Sequence, residues 1–199
     1  MNEKIVEKQT EITTLQQEKE DLEKQKGNYE LIRNTLLYND GDLLHEVCKE
    51  VLQFLGVNAE NGKQEREDLF FIKDGNHYLV EVKGCEKSAN KGHVKQVNSH
   101  VTEYSDEKEV KVKGILLINA WRKFPLEDRD TPDHPIFPDE IMKSVKLYNI
   151  CLATPQQLFV MYCKKLDNKF DLSSLINEIN SDNYRLQGFT DLTEYKLPE

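Results

Sequence analysis

The sequence DLFFIK at residues 68–73, followed by Asp74-Gly75 and by HYLVEVK at residues 77–83, predicts a β-hairpin. Both runs are rich in aromatic and β-branched residues, which favour extended strands. Asp-Gly between two such runs is typical of a two-residue hairpin turn, because both turn positions need positive φ. We therefore expect two adjacent antiparallel strands, and the rest of the fold follows from what covers them.

The register of this hairpin decides which side chains meet. If the loop consists of Asp74 and Gly75, counting back along the strands places Asp68 opposite Glu81. If the loop begins one residue later, Asp68 lies opposite Lys83. Residues two apart on a strand share a face, so either register places Asp68, Glu81 and Lys83 on one face. A three-residue loop or a bulge would break this relation.

Two carboxylates and a lysine on one face are an unusual way to build a hydrophobic sheet, and a bound metal would explain them. Opposed carboxylates repel, and burying them without a partner costs several kcal/mol. Mg²⁺ or Mn²⁺ would relieve that repulsion, since hard cations prefer carboxylate and carbonyl oxygens. Asp68, Glu81 and the Val82 carbonyl are the candidate ligands, and Lys83 is placed to act on a nucleophilic water or on transition-state charge. The alternative is a solvated hairpin edge with a Glu–Lys ion pair.

Helices and strands alternate along the rest of the chain. A continuous apolar run inside residues 112–119 predicts a central strand covered on both faces. Residues 121–138 hold four of the six prolines and predict a long loop. Asp42 is the expected cap of the helix that follows the first turn, and Gly56 its expected end. The further helices are expected over residues 43–55, 93–104, 139–148, 155–162 and 172–179, and the further strands over 57–59, 112–119 and 150–153. This order predicts an α/β fold, a mixed β-sheet flanked by helices on both sides.

The N-terminal segment has a different pattern. Residues 2–36 contain no proline, and their apolar residues recur at heptad spacing. One heptad position carries Ile5 and Ile12, and the other carries Leu15, Leu22, Tyr29 and Leu36, with Lys8, Lys19 and Lys26 interrupting the stripe. The pattern predicts a coiled-coil helix that pairs with a copy of itself or with another protein, with a solvated helix or a disordered tail as the alternative. We therefore expect an N-terminal coiled-coil helix over 1–37 and a second domain over 38–199.

The arrangement Asp68, a gap of about a dozen residues, then Glu81-Val82-Lys83 resembles the Asp…Glu-x-Lys signature of the PD-(D/E)xK, restriction-endonuclease-like nuclease superfamily. The resemblance covers roughly residues 40–165. Members often carry an acidic residue on the first core helix and a glutamine on the helix after Glu-x-Lys. Glu46 and Gln96 match those positions. Residue 67 is Glu where the motif has Pro, a departure shared by many members.

The resemblance implies a nuclease that hydrolyses phosphodiester bonds of nucleic acid, with DNA as the expected substrate and Mg²⁺ or Mn²⁺ as cofactor. Asp68 and Glu81 would hold the metal, Lys83 would act on the water or the developing charge, and Glu46 and Gln96 would support them. The family context points to microbial restriction, repair or anti-phage defence. The alternatives are a catalytically inactive nuclease-like scaffold that binds nucleic acid or partner proteins, and a purely structural coiled-coil subunit.

The net charge and the cysteines bear on how the protein could bind nucleic acid and on which metal it could hold. The net charge of −9 counts against a nucleic-acid binder that works alone, so substrate delivery is expected to depend on a partner or an oligomer. A local basic cluster of Lys87, Lys91 and Lys95 could still contact a phosphate backbone. The four cysteines form no C-x-x-C pair, which argues against a zinc site. No signal region or membrane span is evident, so a cytoplasmic location is expected.

Three further residues have two readings each. His93 and His100 lie seven residues apart, and they either share a helical stripe that faces phosphate or are ordinary surface residues. Trp121, at the end of the predicted central strand, either stacks on a base or anchors the core.

Overall fold

A computed structural model of the chain describes residues 2–62 and 68–193, and the side chains of Asn2, Glu3 and Asp68 lie outside that description. The long helix α1 is followed by a series of alternating helices and strands. The helices are α1 (Asn2–Tyr38), α2 (Gly41–Phe54), α3 (Lys91–Lys108), α4 (Asp139–Leu147), α5 (Pro155–Leu166) and α6 (Leu172–Ile179). The strands are β1 (Glu60–Asn61), β2 (Asp68–Lys73), β3 (Asn76–Gly84), β4 (Val112–Asn119) and β5 (Ile150–Ala153), and a 3₁₀ turn covers Leu126–Asp128.

The five strands form one mixed sheet in the order β1-β2-β3-β4-β5. The first three strands pair antiparallel, and β3, β4 and β5 pair parallel. The parallel connections each contain a helix, α3 between β3 and β4 and α4 between β4 and β5, as parallel strands require. The predicted fold class, a mixed sheet flanked by helices, is confirmed.

The hairpin between β2 and β3 adopts the first of the two registers. Asp74 has φ of 51° and Gly75 has φ of 76°, so both loop residues are left-handed, as a type I′ turn requires. The backbone of Asp68 therefore lies opposite that of Glu81. This pairing, set by the two-residue turn, positions the candidate site.

Each face of the sheet is covered by a different set of helices. On one face, Leu116 and Ile118 of β4 pack with Val94 and Val97 of α3 and with residues of α4. On the other face, Ile115 and Leu117 line a small apolar cavity of about 40 Å³ together with residues of α2, α5 and α6. The apolar run in β4 is thus buried on both sides, as predicted. Glu81 lies in register with Leu116 and so belongs to the face that α3 covers.

Several predicted boundaries are wrong by a few residues. The strand expected over 57–59 is instead Glu60–Asn61, which pairs with Phe70 and Leu69. Ala59 is buried, but its carbonyl accepts a hydrogen bond from Gln53 Nε2 at 2.7 Å rather than joining the sheet ladder. Helix α2 begins at Gly41 and not after Asp42, because Tyr38 still belongs to α1 and only two residues separate the helices. These differences arise from tertiary pairing, which local propensity does not encode.

The chain divides into two compact units, Met1–Asn34 and Thr35–Glu199. In the first unit, Ile5, Ile12, Leu15 and Leu22 are between 46% and 64% exposed. The lysines that interrupt the stripe pair along the same helix, with Lys19 Nζ 3.6 Å from Glu23 Oε1 and Lys26 Nζ 3.8 Å from Glu30 Oε1. An exposed apolar stripe thus runs along a helix whose charges pair internally. Among the described residues, no helix combines the length and apolar character needed to cross a membrane.

Replacing Gly84 with alanine is expected to destabilise the fold. A Cβ atom at Gly84 would lie 2.7 Å from the Asp40 Cα atom, so backbone would have to move at the end of β3. We expect a loss of about 1–3 kcal/mol in the free energy of unfolding, measured by urea denaturation. Gly27→Ala is the control, because nothing lies within 4 Å of a Cβ there. Equal stability of Gly84→Ala and the wild type would contradict the tight contact.

Candidate active site

The candidate site centres on Glu81, a fully buried carboxylate in the third strand of a five-stranded sheet. Lys83 Nζ lies 2.8 Å from Glu81 Oε1. His100 Nδ1, from helix α3, lies 3.0 Å from Glu81 Oε2. A buried charge is tolerated only when it is paired and hydrogen-bonded, and these two groups satisfy that requirement from two different elements.

The strand geometry explains why these side chains meet. Residues 79, 81 and 83 alternate with 78, 80 and 82 along β3, so Glu81 and Lys83 share the face covered by α3. Tyr78 and Val80 are buried on the opposite face. Lys83 lies close to the strand end, where its side chain is 21% exposed. The ammonium group can therefore reach both the buried carboxylate and solvent.

Asp68 enters the site through its backbone position. The observed register places it opposite Glu81, and directly opposed residues of an antiparallel pair have Cβ atoms roughly 4.5–5.5 Å apart on the same face. Its side chain and Glu67 lie outside the described residues. The role of Asp68 as a metal ligand therefore stays a prediction. The Val82 carbonyl also stays a predicted ligand. The described β2–β3 pairing ends at Glu81, so whatever lies opposite Val82 on that side is outside the described residues.

One face of α3 packs against the side of the sheet that carries Glu81. His93, Gln96 and His100 are spaced by three and four residues, so they lie on one side of the helix, and the contact of His100 with Glu81 shows which way that side points. All three are half-buried. The two histidines share a helical stripe, and His100 is not an ordinary surface residue, because it contacts Glu81. That the stripe faces phosphate stays a prediction. The signal that identifies the stripe is the spacing of the two histidines around Gln96.

The neutral form of His93 has a defined tautomer. The Asn90 backbone N–H donates to His93 Nδ1 at 3.2 Å, and the Asn90 side chain accepts from the His93 backbone N–H in return, completing a capping box. Nδ1 is thus an acceptor, and Nε2 carries the proton. Burial, and secondly the positive charge of Lys83, lowers the pKa of His93, while Glu81 acts in the opposite direction.

Glu46 is not brought to the site by any contact among the described residues. It lies on α2, where Lys49 Nζ pairs with it closely and His45 Nδ1 lies 3.6 Å away. Lys49 is the main reason that the pKa of Glu46 is lowered. Leu52 of the same helix packs against the opposite face of the sheet from Glu81. The supporting role of Glu46, like that of Gln96, stays a prediction.

The residues present fit a hard divalent cation with few protein ligands. Among the described residues, no cluster of three or more His, Cys, Asp or Glu groups is suited to a metal. The Asp68 side chain is not included in that description. Two carboxylates in opposed register, Asp68 and Glu81, suit Mg²⁺, which usually keeps several waters and takes one or two carboxylates. The four cysteines are free, and Cys48, Cys151 and Cys163 are buried. No described residues therefore suggest a thiolate zinc centre.

The loop after β4 is fixed by Arg129, which sequence reasoning missed. Its guanidinium is 6% exposed. It donates to Leu37 O at 2.6 Å and to Asn119 Oδ1 at 3.2 Å, and also to the carbonyls of Arg122 and Phe124. Asn119 in turn donates to Asn39 O at 3.0 Å. The end of β4 is thereby joined to the turn between α1 and α2.

Trp121 is an anchor of this loop. Its Nε1–H donates to Pro135 O at 3.1 Å, and its ring makes edge contacts with Phe124 and His134. It also packs against the core formed by α3, α4 and β4. Of the two readings of Trp121, the structure supports the core anchor.

Comparison with known proteins bears on the fold. No protein-family model matches the sequence, and no curated protein matches it. The structure of the restriction endonuclease FokI aligns with a TM-score of 0.52 and 12% identity, covering 78% of this chain and 30% of that chain. The chain has a restriction-endonuclease-like fold. A structure of FokI bound to DNA aligns with a TM-score of 0.48 and 11% identity, covering 78% of this chain and 29% of that chain.

The restriction-endonuclease-like fold confirms the resemblance indicated by the spacing of Asp68, Glu81 and Lys83, as far as the fold is concerned. The chain spans about 30% of the length of the FokI chains it matches. At this level of identity the likeness concerns architecture, and the chemistry has to be argued from the side chains.

The lowered pKa of His93 predicts a pH dependence of stability. Because the folded protein holds this imidazole neutral below its ordinary pKa of 6.5, the unfolded chain binds the proton more readily, and stability falls as the pH drops below about 6.5. His93→Gln preserves the capping box, since Gln is a usual residue at that position, but does not titrate. Urea denaturation at pH 7.5 and pH 5.5 should show a smaller loss for His93→Gln than for the wild type. Equal losses would contradict the prediction.

Proposed function

We propose that the chain is a metal-dependent nuclease that hydrolyses phosphodiester bonds of nucleic acid, with DNA as its substrate. The observation that carries this proposal is the buried Glu81 carboxylate paired with Lys83 on the strand that faces Asp68. A protein stabilised only by packing gains little from a buried ion pair, because desolvation offsets the attraction. The restriction-endonuclease-like fold supports the same reading.

In this proposal Asp68, Glu81 and the Val82 carbonyl hold Mg²⁺ or Mn²⁺, and Glu46 and Gln96 support the site. When bound, the metal lowers the pKa of a water and stabilises charge on a phosphoryl oxygen. As an ammonium group, Lys83 has the reach to orient the attacking water or to stabilise the negative charge that develops on phosphate. Only as a neutral amine could it accept the proton of that water. The pairing with Glu81 Oε1 at 2.8 Å positions the Lys83 ammonium group.

Substrate approach is assigned to the basic cluster Lys87, Lys91 and Lys95. All three are exposed and belong to the loop after β3 and the first turns of α3, which follow Lys83 in the chain. Contacts of this kind go to phosphate and do not read sequence. With a net charge of −9, the rest of the surface repels nucleic acid, so we propose that a partner or an oligomer assists delivery. A role in microbial restriction, repair or anti-phage defence rests on the resemblance alone.

The exposed stripe of α1 is the proposed means of oligomerisation. Ile5, Ile12, Leu15 and Leu22 are spaced as the seam of a coiled coil, and the interrupting Lys19 and Lys26 each pair with a glutamate on the same helix. That pairing lowers the cost of placing lysine at a helix–helix seam. We assign the stripe to pairing with a second copy of the same helix.

Removal of Lys83 is expected to abolish nuclease activity. The wild type should cleave plasmid or single-stranded DNA with Mg²⁺ or Mn²⁺ and not with EDTA. Lys83→Ala should be slower by about a hundredfold or more, the usual contribution of a group that moves a proton or stabilises charge. Lys73→Ala is the matched control, since Lys73 lies at the other end of the hairpin beside Asp74. Circular dichroism should show that both variants fold.

Two results would overturn the proposed mechanism. Cleavage that persists in EDTA would exclude a metal-dependent reaction, and full activity of Lys83→Ala would exclude the role of that lysine. RNA is tested in parallel. If the wild type cleaves neither DNA nor RNA, the result favours the nuclease-like scaffold.

Self-association through α1 predicts a change of mass. At micromolar concentration the wild type should sediment as a dimer or a larger species. Leu15→Lys combined with Leu22→Lys should sediment as a monomer, because two like charges would face each other in the seam. Gln17→Lys adds one positive charge away from the stripe and should leave the mass unchanged. A monomeric wild type would contradict self-pairing.

A further inference from the structure

We propose that His100 is a positioning residue that fixes the Glu81 carboxylate for metal binding, through a hydrogen bond from its Nδ1–H to Glu81 Oε2. The proposal rests on the proposed function, in which Glu81 is a metal ligand. It assigns to helix α3 a task in the site beyond the supporting role predicted for Gln96.

The contact itself defines the donor. His100 Nδ1 lies 3.0 Å from Glu81 Oε2, and Lys83 Nζ lies 2.8 Å from Oε1. A carboxylate beside an ammonium group is ionised and only accepts hydrogen bonds, so the proton lies on Nδ1. The two oxygens are thus held from two directions, which fixes the rotation of the carboxylate plane. A carboxylate oxygen has two lone pairs, so an oxygen that accepts one hydrogen bond can also ligate a cation.

The burial of Glu81 makes this orientation matter. The side chain is fully buried, so solvent does not set its rotamer, and protein groups have to do so. Ligating carboxylates are commonly held by such hydrogen bonds, and loss of the outer partner typically weakens metal affinity by 10–100-fold. His100 holds Oε2 while Lys83 lies against Oε1, so the two contacts act on different oxygens of the same carboxylate.

The packing of α3 against the sheet sets the distance between His100 and Glu81. Val97 is fully buried and Val101 is partly buried against β4. A Cβ atom at Gly114 would lie 2.8 Å from Val97 Cγ1 and 3.1 Å from Val101 Cγ2. The absence of a side chain at Gly114 therefore lets α3 approach the sheet closely. That approach brings His100 within hydrogen-bond distance of Glu81 on the neighbouring strand.

His93, on the same face of α3, cannot do the same task with the same atom. Its Nδ1 accepts from the Asn90 backbone N–H and has no proton to donate. The two histidines therefore differ in tautomer, although they lie only seven residues apart. The Nδ1 atom of His100 is the specific feature of the proposal.

The choice of nitrogen allows a sharp test with amide side chains. The Asn Nδ2 atom lies the same number of bonds from the backbone as His Nδ1, whereas the Gln Nε2 atom corresponds to His Nε2. His100→Asn should thus retain the hydrogen bond, and His100→Gln and His100→Ala should lose it. Ser99→Ala is the matched control, since Ser99 is an exposed neighbour on α3 that donates to Glu103.

The measurement is the affinity for Mn²⁺ by isothermal titration calorimetry, with the thermal midpoint of the metal-free protein recorded for each variant. We expect His100→Ala and His100→Gln to bind Mn²⁺ about tenfold or more weakly. His100→Asn and Ser99→Ala should stay within about threefold of the wild type. DNA cleavage at saturating Mn²⁺ should recover in His100→Ala more fully than at low Mn²⁺, since the defect lies in holding the metal.

The outcomes separate this inference from the proposed function. If Glu81→Gln abolishes Mn²⁺ binding but His100→Ala does not weaken it, His100 has no positioning role and the nuclease proposal stands. An equal loss in His100→Asn and His100→Ala would also overturn the inference, because the effect would then be one of packing. If the wild type binds no Mn²⁺, the metal-dependent function fails and the inference fails with it.

Discussion

The buried carboxylate of Glu81 is the constraint around which the rest of the domain is arranged. It lies in the third of five strands, with no exposed surface, where an ionised group is costly unless neighbours compensate it. Lys83 supplies a charge from the same strand, and His100 supplies a hydrogen bond from α3. The type I′ turn places the backbone of Asp68 opposite. A turn that began one residue later would place Asp68 opposite Lys83 instead.

Two close contacts keep the surrounding elements in place. Gly114 lets α3 lie near the sheet, which brings His100 to Glu81. Arg129 donates to carbonyls at the end of α1 and within its own loop, and to Asn119 at the end of β4. A planar group with five donors suits this task, because it can satisfy several acceptors at once. The long proline-containing loop is thus tied to the C-terminal end of β4, which pairs with the end of β3 that carries Lys83 and Gly84.

The sequence predicted much of the site because its signals are local. Asp74-Gly75 specifies the turn, strand alternation places Glu81 and Lys83 on one face, and the apolar run of β4 indicates its burial. The position of His100 was left open between a phosphate-facing stripe and the surface, and neither alternative named Glu81 as its partner, since helical spacing gives a face but not its direction. Arg129 carried no signal, because most of its acceptors are backbone carbonyls, which any residue provides. The short strand was misplaced because β1 forms only through pairing with β2.

The sequence by itself determined the hairpin, the order of helices and strands, and the set of residues Asp68, Glu81 and Lys83, since period-two alternation and turn chemistry act over a few residues. Tertiary structure alone decided which helix covers Glu81 and which histidine nitrogen meets it. The physical reason is that burial and packing distance depend on groups far apart in the chain. The β2–β3 hairpin thus identifies the carboxylate, and the packing of α3 on the sheet determines how that carboxylate is held.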